Sequence, residues 1–146
     1  MKKNIAKSLN PYLSDLVVFY LKLHDLHWNV KGLQFVPVHQ YTEARYEDMA
    51  AKFDEIAELV LMHGEKPVSS ISEYLSLASI QELSAKSYQD KEVLQILVSD
   101  LSHLKEEAEA LRGKMAEEDI FDVVAVLEDH VAGYQKELWF LNSMLA

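Results

Sequence analysis

Five side chains in the first half of this sequence could hold a metal ion: His27, His39, Glu43, Asp54 and Glu58. Imidazole nitrogen with two or three carboxylates and no sulfur suits Fe(II), Mn(II) or Zn(II). The chain contains no cysteine, so thiolate metal sites and disulfides are both excluded. Taken singly, none of the five is persuasive. A histidine on an apolar seam is more often a core residue than a ligand. Asp54 and Glu58, at i and i+4, would ordinarily form a solvated acidic face. Their joint placement is what points to metal chemistry.

That placement depends on two helices. Pro37 suits the first position of a helix and Gly64 the position just past its end. At about 100° per residue, His39, Glu43, Asp54 and Glu58 share one sector of this second helix. Its apolar seam (Tyr46, Met49, Phe53, Ile56, Val60) occupies the neighbouring sector. Ala50 and Ala57 lie between the polar residues and would let another helix approach. His27 and His39 are equidistant from a turn centred on Leu33, so they should stand level on an antiparallel hairpin. Along the second helix, His39 and Asp54 are about 22 Å apart at about 1.5 Å per residue. One chain therefore cannot close the site. A second copy packed antiparallel on this face would bring its Asp54 and Glu58 to the first copy's histidines, giving two identical shared sites.

The remaining elements are helical as well. Asn10-Pro11 reads as a helix start, which leaves 1–9 as a short tail. Leu13, Leu16, Tyr20, Leu23 and His27 then alternate steps of three and four up to a closing Gly32. From Glu65 to Tyr88 the periodicity lapses, apart from a short amphipathic piece at Ile71 to Ala78. The third helix spans about Asp90 to Ala116 and the fourth about Asp119 to Leu145, both with three-four apolar spacing. Four long helices with one long middle connection make an all-α, ferritin-like four-helix bundle whose crossover carries a short helix. No internal repeat, strand pattern or domain boundary is visible, so residues 1–146 read as one domain.

Composition narrows the function. With 49% hydrophobic residues and a formal net charge of −10, the chain reads as a soluble protein without a bulk basic surface for nucleic acid. Met1-Lys2-Lys3 is not followed by an apolar signal core, and the run Leu16 to Leu21 is too short to span a bilayer. The expectation is a cytoplasmic protein with no membrane partner.

His27-Trp28-Asn29-Val30-Lys31-Gly32, His39 twelve residues after His27, Glu43, and Asp54-Glu55-Ile56-Ala57-Glu58 together resemble the Dps family of mini-ferritins. The resemblance extends over nearly the whole chain, through Gly64-Glu65-Lys66-Pro67-Val68 to Leu138-Trp139-Phe140-Leu141. It implies a ferroxidase: a homo-dodecameric shell, built from twofold dimers, that oxidises Fe(II) and stores the ferric mineral against oxidative stress. Hydrogen peroxide is the implied oxidant in preference to oxygen. The family places two iron ions at each shared site. His27, Asp54 and Glu58 would be the main ligands, with His39 and Glu43 at the second position, where the family often has aspartate. The resemblance also suggests Trp28 as an oxidisable ring beside the iron, although packing at the dimer face explains it as well. Carboxylates at threefold pores would correspond to Asp122 and Glu118, and Glu47 is a candidate for mineral nucleation inside the shell.

Two other readings compete. A DNA-compacting member of the same shell would need long lysine-rich ends, and here only Lys2, Lys3 and Lys7 precede the first expected helix. DNA binding is therefore not expected. A classical ferritin with a site inside each bundle needs Glu-x-x-His motifs, and no histidine of this chain has glutamate three residues before it.

Overall fold

The computed structural model describes residues 4–146. The first helix, α1, covers Ile5–Asn29 and begins earlier than Asn10-Pro11 suggests. Asn4 is the N-cap, and its side chain accepts from the Lys7 amide at 3.1 Å. Glu65 meets two further amides of the first turn, accepting from Ile5 at 3.0 Å and Ala6 at 3.2 Å. A carboxylate from another element thus satisfies donors that a free helix end would leave to water. Ile5 and Leu9 are buried, so residues 5–9 are structured helix and not tail. Pro11 lies inside α1, where it removes one backbone donor and starts nothing. Of the expected tail lysines, Lys7 is within the helix, and Lys2 and Lys3 lie outside the described residues.

Helix α1 ends at Asn29, and a two-residue strand, β1 (Val30–Lys31), follows before Gly32. The next helix, α2, runs Phe35–Met62, so Pro37 is its third residue, two steps deeper than expected but still within the first turn. Gly64 adopts φ 77° just past its end. Two bonds close that end, Gly64 N–H to the Leu61 carbonyl at 2.9 Å and Glu65 N–H to the Val60 carbonyl at 3.1 Å. This is a Schellman termination, and it turns the chain so that Glu65 reaches the start of α1. Contacts between α1 and α2 pair residues equidistant from the turn: Tyr20 with Tyr46, and His27 with His39. The hairpin is antiparallel. Its interior holds Leu16, Phe19, Leu23 and Leu26 of α1 with Met49, Ile56 and Val60 of α2, all buried, while Tyr46 and Phe53 are only half-buried.

The crossover carries a seven-residue helix, α3 (Ile71–Leu77), capped by Ser70. Its far side is tied to α1 by Asp15, a fully buried carboxylate that accepts from the Ser79 amide, the Ser79 hydroxyl and the Ile80 amide at 2.7–2.8 Å. A second short strand, β2 (Tyr88–Gln89), pairs in parallel with β1, Val30 opposite Tyr88. No strand was expected from the sequence. The bridge is only two residues long, below the reach of alternation arguments.

The chain divides into two compact units, one ending at Gln95 and the other covering Ile96–Ala146. Helix α4 spans Asp90–Glu117 and α5 spans Phe121–Leu145. Within the second unit, Arg112 forms a two-pronged contact with Glu128 Oε2 at 3.0 and 2.9 Å. The turn between the helices is another Schellman motif, with Asp119 N–H to Ala116 at 3.1 Å and Ile120 N–H to Met115 at 3.0 Å. Its left-handed position is held by Asp119 at φ 56°, where glycine carries no Cβ penalty. Asp119→Gly should therefore stabilise the protein by about 0.5–1 kcal/mol, read as a raised urea midpoint at fixed protein concentration.

Candidate metal centre

The two histidines lock each other. His27 Nδ1 donates to the His39 carbonyl at 2.7 Å, and His39 Nδ1 donates to the His27 carbonyl at 2.8 Å. Neither carbonyl can donate, so both rings must carry their proton on Nδ1. This leaves Nε2 of each as the nitrogen with a free lone pair, the tautomer a divalent cation requires. The rings stack at 3.6 Å between centroids with planes 14° apart. Thr42 Oγ1 lies 3.2 Å from His27 Nδ1 and donates to the carbonyls of Val38 and His39 at 2.9 and 3.0 Å. Phe35 stacks on the far face of His39 at 5.0 Å.

This arrangement follows from the hairpin. Turn geometry is fixed at Gly32, whose φ of 127° suits glycine. A Cβ there would fall 2.5 Å from Asp90 Oδ2, the atom that accepts from the Gln34 amide at 2.9 Å. Equal numbers of residues on either side of the turn then bring His27 and His39 to one level.

Glu43 lies one turn beyond His39, with its Oε1 3.9 Å from His27 Nε2. The same oxygen accepts from the Tyr46 hydroxyl at 3.4 Å. Desolvation first, and then the nearby Glu43 and Glu47 carboxylates, hold the Tyr46 phenol above its ordinary pKa, so at neutral pH it remains a donor. His24 stacks on Tyr46 at 3.8 Å. Burial, and to a lesser degree His27, push its pKa below the usual value and keep it neutral.

Asp54 and Glu58 lie on the exposed side of α2, further along by about 22 Å and 28 Å of helix rise. The chain does not bring them to its own histidines. Trp28 is 66% exposed, and its ring is 5.4 Å from that of His24. Glu47 is exposed as well. Glu118 is the turn residue that follows α4, and Asp122 sits in the first turn of α5, its Oδ1 2.9 Å from the Val123 amide. Thr42, Phe35, His24 and Tyr46 were not expected around the centre. Thr42 could have been suspected as a polar residue on an otherwise apolar stripe, three positions after His39. The aromatic partners carry no signal separable from core packing.

A family model described as a ferritin-like domain matches residues 6–146. A DNA protection during starvation protein of Helicobacter pylori is 34% identical over 133 residues, 91% of this chain and 92% of that one. The solved structure of a Dps protein from Bacillus brevis has a TM-score of 0.93 at 32% identity, covering 97% of this chain and 95% of the other. That of a Dps protein from Vibrio cholerae O1, described as a member of a broad superfamily of ferritin-like diiron-carboxylate proteins, has a TM-score of 0.94 at 29% identity and covers 100% and 98%. The fold class is therefore all-α and ferritin-like, with α3 in the crossover between the second and third long helices. Within that class, the chain belongs to the Dps family of mini-ferritins. Among the described residues, no helix is long and apolar enough to cross a membrane.

Proposed function

We propose that this protein is a ferroxidase and iron store: it oxidises Fe(II), its substrate, at sites built from two chains and holds the ferric product inside a twelve-chain shell. The observation that carries this reading is the reciprocal Nδ1-to-carbonyl bonding of His27 and His39, which leaves the Nε2 atom of each for a ligand, that of His27 3.9 Å from the Glu43 carboxylate. The donor set fits iron. Imidazole holds Fe(II), and carboxylate oxygen favours Fe(III) once an electron has left. Asp54 and Glu58 of a second copy complete the first position, because their own histidines are too far along the helix. His39 and Glu43 hold the second.

Two Fe(II) at one site reduce one hydrogen peroxide to two waters, two electrons and two protons being consumed, and no hydroxyl radical is released. Oxygen is the slower alternative oxidant. Leu21 and Trp28, seven residues apart on one face of α1, are 61% and 66% exposed. Large apolar side chains left open in this way fit a face covered by another copy. Trp28 acts there as packing and as an oxidisable neighbour of the iron. Asp122 and Glu118 serve entry of Fe(II), Glu47 nucleates mineral, and the shell works in the cytoplasm.

Two measurements test the assembly and the partner. Native mass should be roughly 200 kDa, twelve copies of the 16.7 kDa chain; a stable monomer or dimer at micromolar concentration would end the shell reading. At physiological salt the protein should leave plasmid DNA unretarded, because a chain of formal net charge −10 offers little basic surface to neutralise phosphates. Tight retardation at that salt, lost on deleting residues 1–3, would favour the DNA-compacting alternative.

A further inference from the structure

The crossover between α2 and α4 is fastened to α1 at two points and left uncovered between them. On one side, Asn10 accepts from the Val68 amide at 3.1 Å and donates to the Lys66 carbonyl at 3.5 Å. On the other, Asp15 holds Ser79 and Ile80. The seven residues of α3 lie between these ties, and none of them is buried. Beneath this strap is a cavity of about 300 Å³, walled by Val17, Val18 and Leu21 of α1 and by Ile71 and Leu75 of α3. Such walls suit a hydrocarbon chain. The volume is at the small end of ligand pockets, enough for roughly eight to twelve carbons.

Three charged residues, Lys22, Asp25 and Glu82, also line the cavity, and they are not equivalent. Asn29 Nδ2 donates to Asp25 Oδ1 at 2.7 Å, so that carboxylate is already engaged. Glu82 is exposed, where water and salt screen it. Lys22 is only 8% exposed, so its ammonium is the charge least shielded by water. Tyr74 adds a hydroxyl: desolvation first, and then Glu73, hold its phenol above the ordinary pKa, so it stays a donor at neutral pH. Leu21 belongs to the α1 face that a second copy is proposed to cover. An apolar side chain of that copy entering the cavity would take water from the ammonium without offering an acceptor, which is costly. A carboxylate offers one. We propose that the cavity beneath α3 is a binding site for a medium-chain fatty carboxylate, its alkyl chain between α1 and α3 and its head group on Lys22 and Tyr74. The ligand enters as α3 lifts, while the segments on either side of it stay tied to Asn10 and Asp15.

Titration calorimetry on the assembled, iron-free protein tests the site, and a failure of the ferroxidase reading would leave the result standing. Decanoate, kept well below the concentration at which it forms micelles, should bind saturably at one per chain. Octanoate, two methylenes shorter, should bind about fifteenfold more weakly, at about 0.8 kcal/mol per CH₂. Lys22→Met keeps the length of the stem and removes the charge. It should weaken decanoate about tenfold or more and leave decanol within about threefold, while Lys22→Arg should restore most of the loss. Leu75→Trp, a change on the uncovered α3, fills the space and should abolish binding of both ligands, with native mass confirming assembly. Decanol binding the wild type as tightly as decanoate, or Lys22→Met leaving decanoate unchanged, overturns the carboxylate assignment. Decanoate that still binds Leu75→Trp is held at another apolar face, such as exposed Trp139 and Phe140, and overturns the site. An assembled wild type that takes up no decanoate has its cavity closed by the neighbouring copy, which overturns the proposal as well.

Discussion

Shells built from two differently damaged chains should recover the activity that neither chain has alone. One variant carries His27→Ala and His39→Ala, the other Asp54→Ala and Glu58→Ala. Each homo-oligomer lacks two of the five proposed ligands at every site. Loss of a residue that merely orients a ligand costs 10–100-fold, so removing ligands outright should slow Fe(II) oxidation on the order of 100-fold or more. The first variant also loses the mutual locking of the two rings, and with it the defined Nε2 lone pairs. In a mixed dimer one site combines both defects, and the other combines the intact histidines of one chain with the intact carboxylates of its neighbour. Random mixing in equal amounts makes half the dimers mixed, so about a quarter of wild-type activity should return. Mixed shells verified by mass that stay inactive would rule out a site shared in this way. Full activity in either homo-oligomer would remove those residues from the site altogether.

The largest expected loss of stability lies away from the metal centre, at Asp15. Its carboxylate is fully buried and accepts three hydrogen bonds from Ser79 and Ile80. Asp15→Ala leaves two backbone amides and a hydroxyl without that acceptor at the point where the crossover is fastened to α1. The Ile80 amide is buried and costs about 1–3 kcal/mol when unpaired, while the donors of exposed Ser79 can turn to water, so the expected loss is roughly 2–3 kcal/mol. Urea unfolding at one fixed protein concentration reads it directly, since an oligomer's midpoint moves with concentration. Asp15→Asn keeps one acceptor oxygen and should recover part of the loss. A shift below about 1 kcal/mol for the alanine variant would mean that the crossover is held elsewhere.

Periodicity and punctuation made most of the fold legible. The seams of α4 and α5 end within two residues of where their three-four spacing indicates, because a buried face repeats with the helix turn. Gly64 marks the end of α2 because a positive φ favours glycine. The same rule missed Asp119, whose side chain tolerates that backbone region without announcing it. At the start of α1 the local signal misled. Asn10-Pro11 resembles a cap and first turn, but Glu65, sixty residues away from Ile5, supplies the acceptor that lets the helix begin at Ile5.

For the candidate site, the sequence alone determined the residue types, the level placement of His27 and His39, and the distance that keeps Asp54 and Glu58 away from both histidines within one chain. These follow from residue chemistry and from a rise per residue that no packing alters. Only the tertiary structure decided which nitrogen of each histidine is free, because the tautomer depends on a carbonyl brought over from the other helix. It alone also placed Tyr46 between Glu43 and His24. A tyrosine on an apolar seam reads the same whether its hydroxyl meets water or a carboxylate, and the difference arises only when two helices settle their rotation about each other.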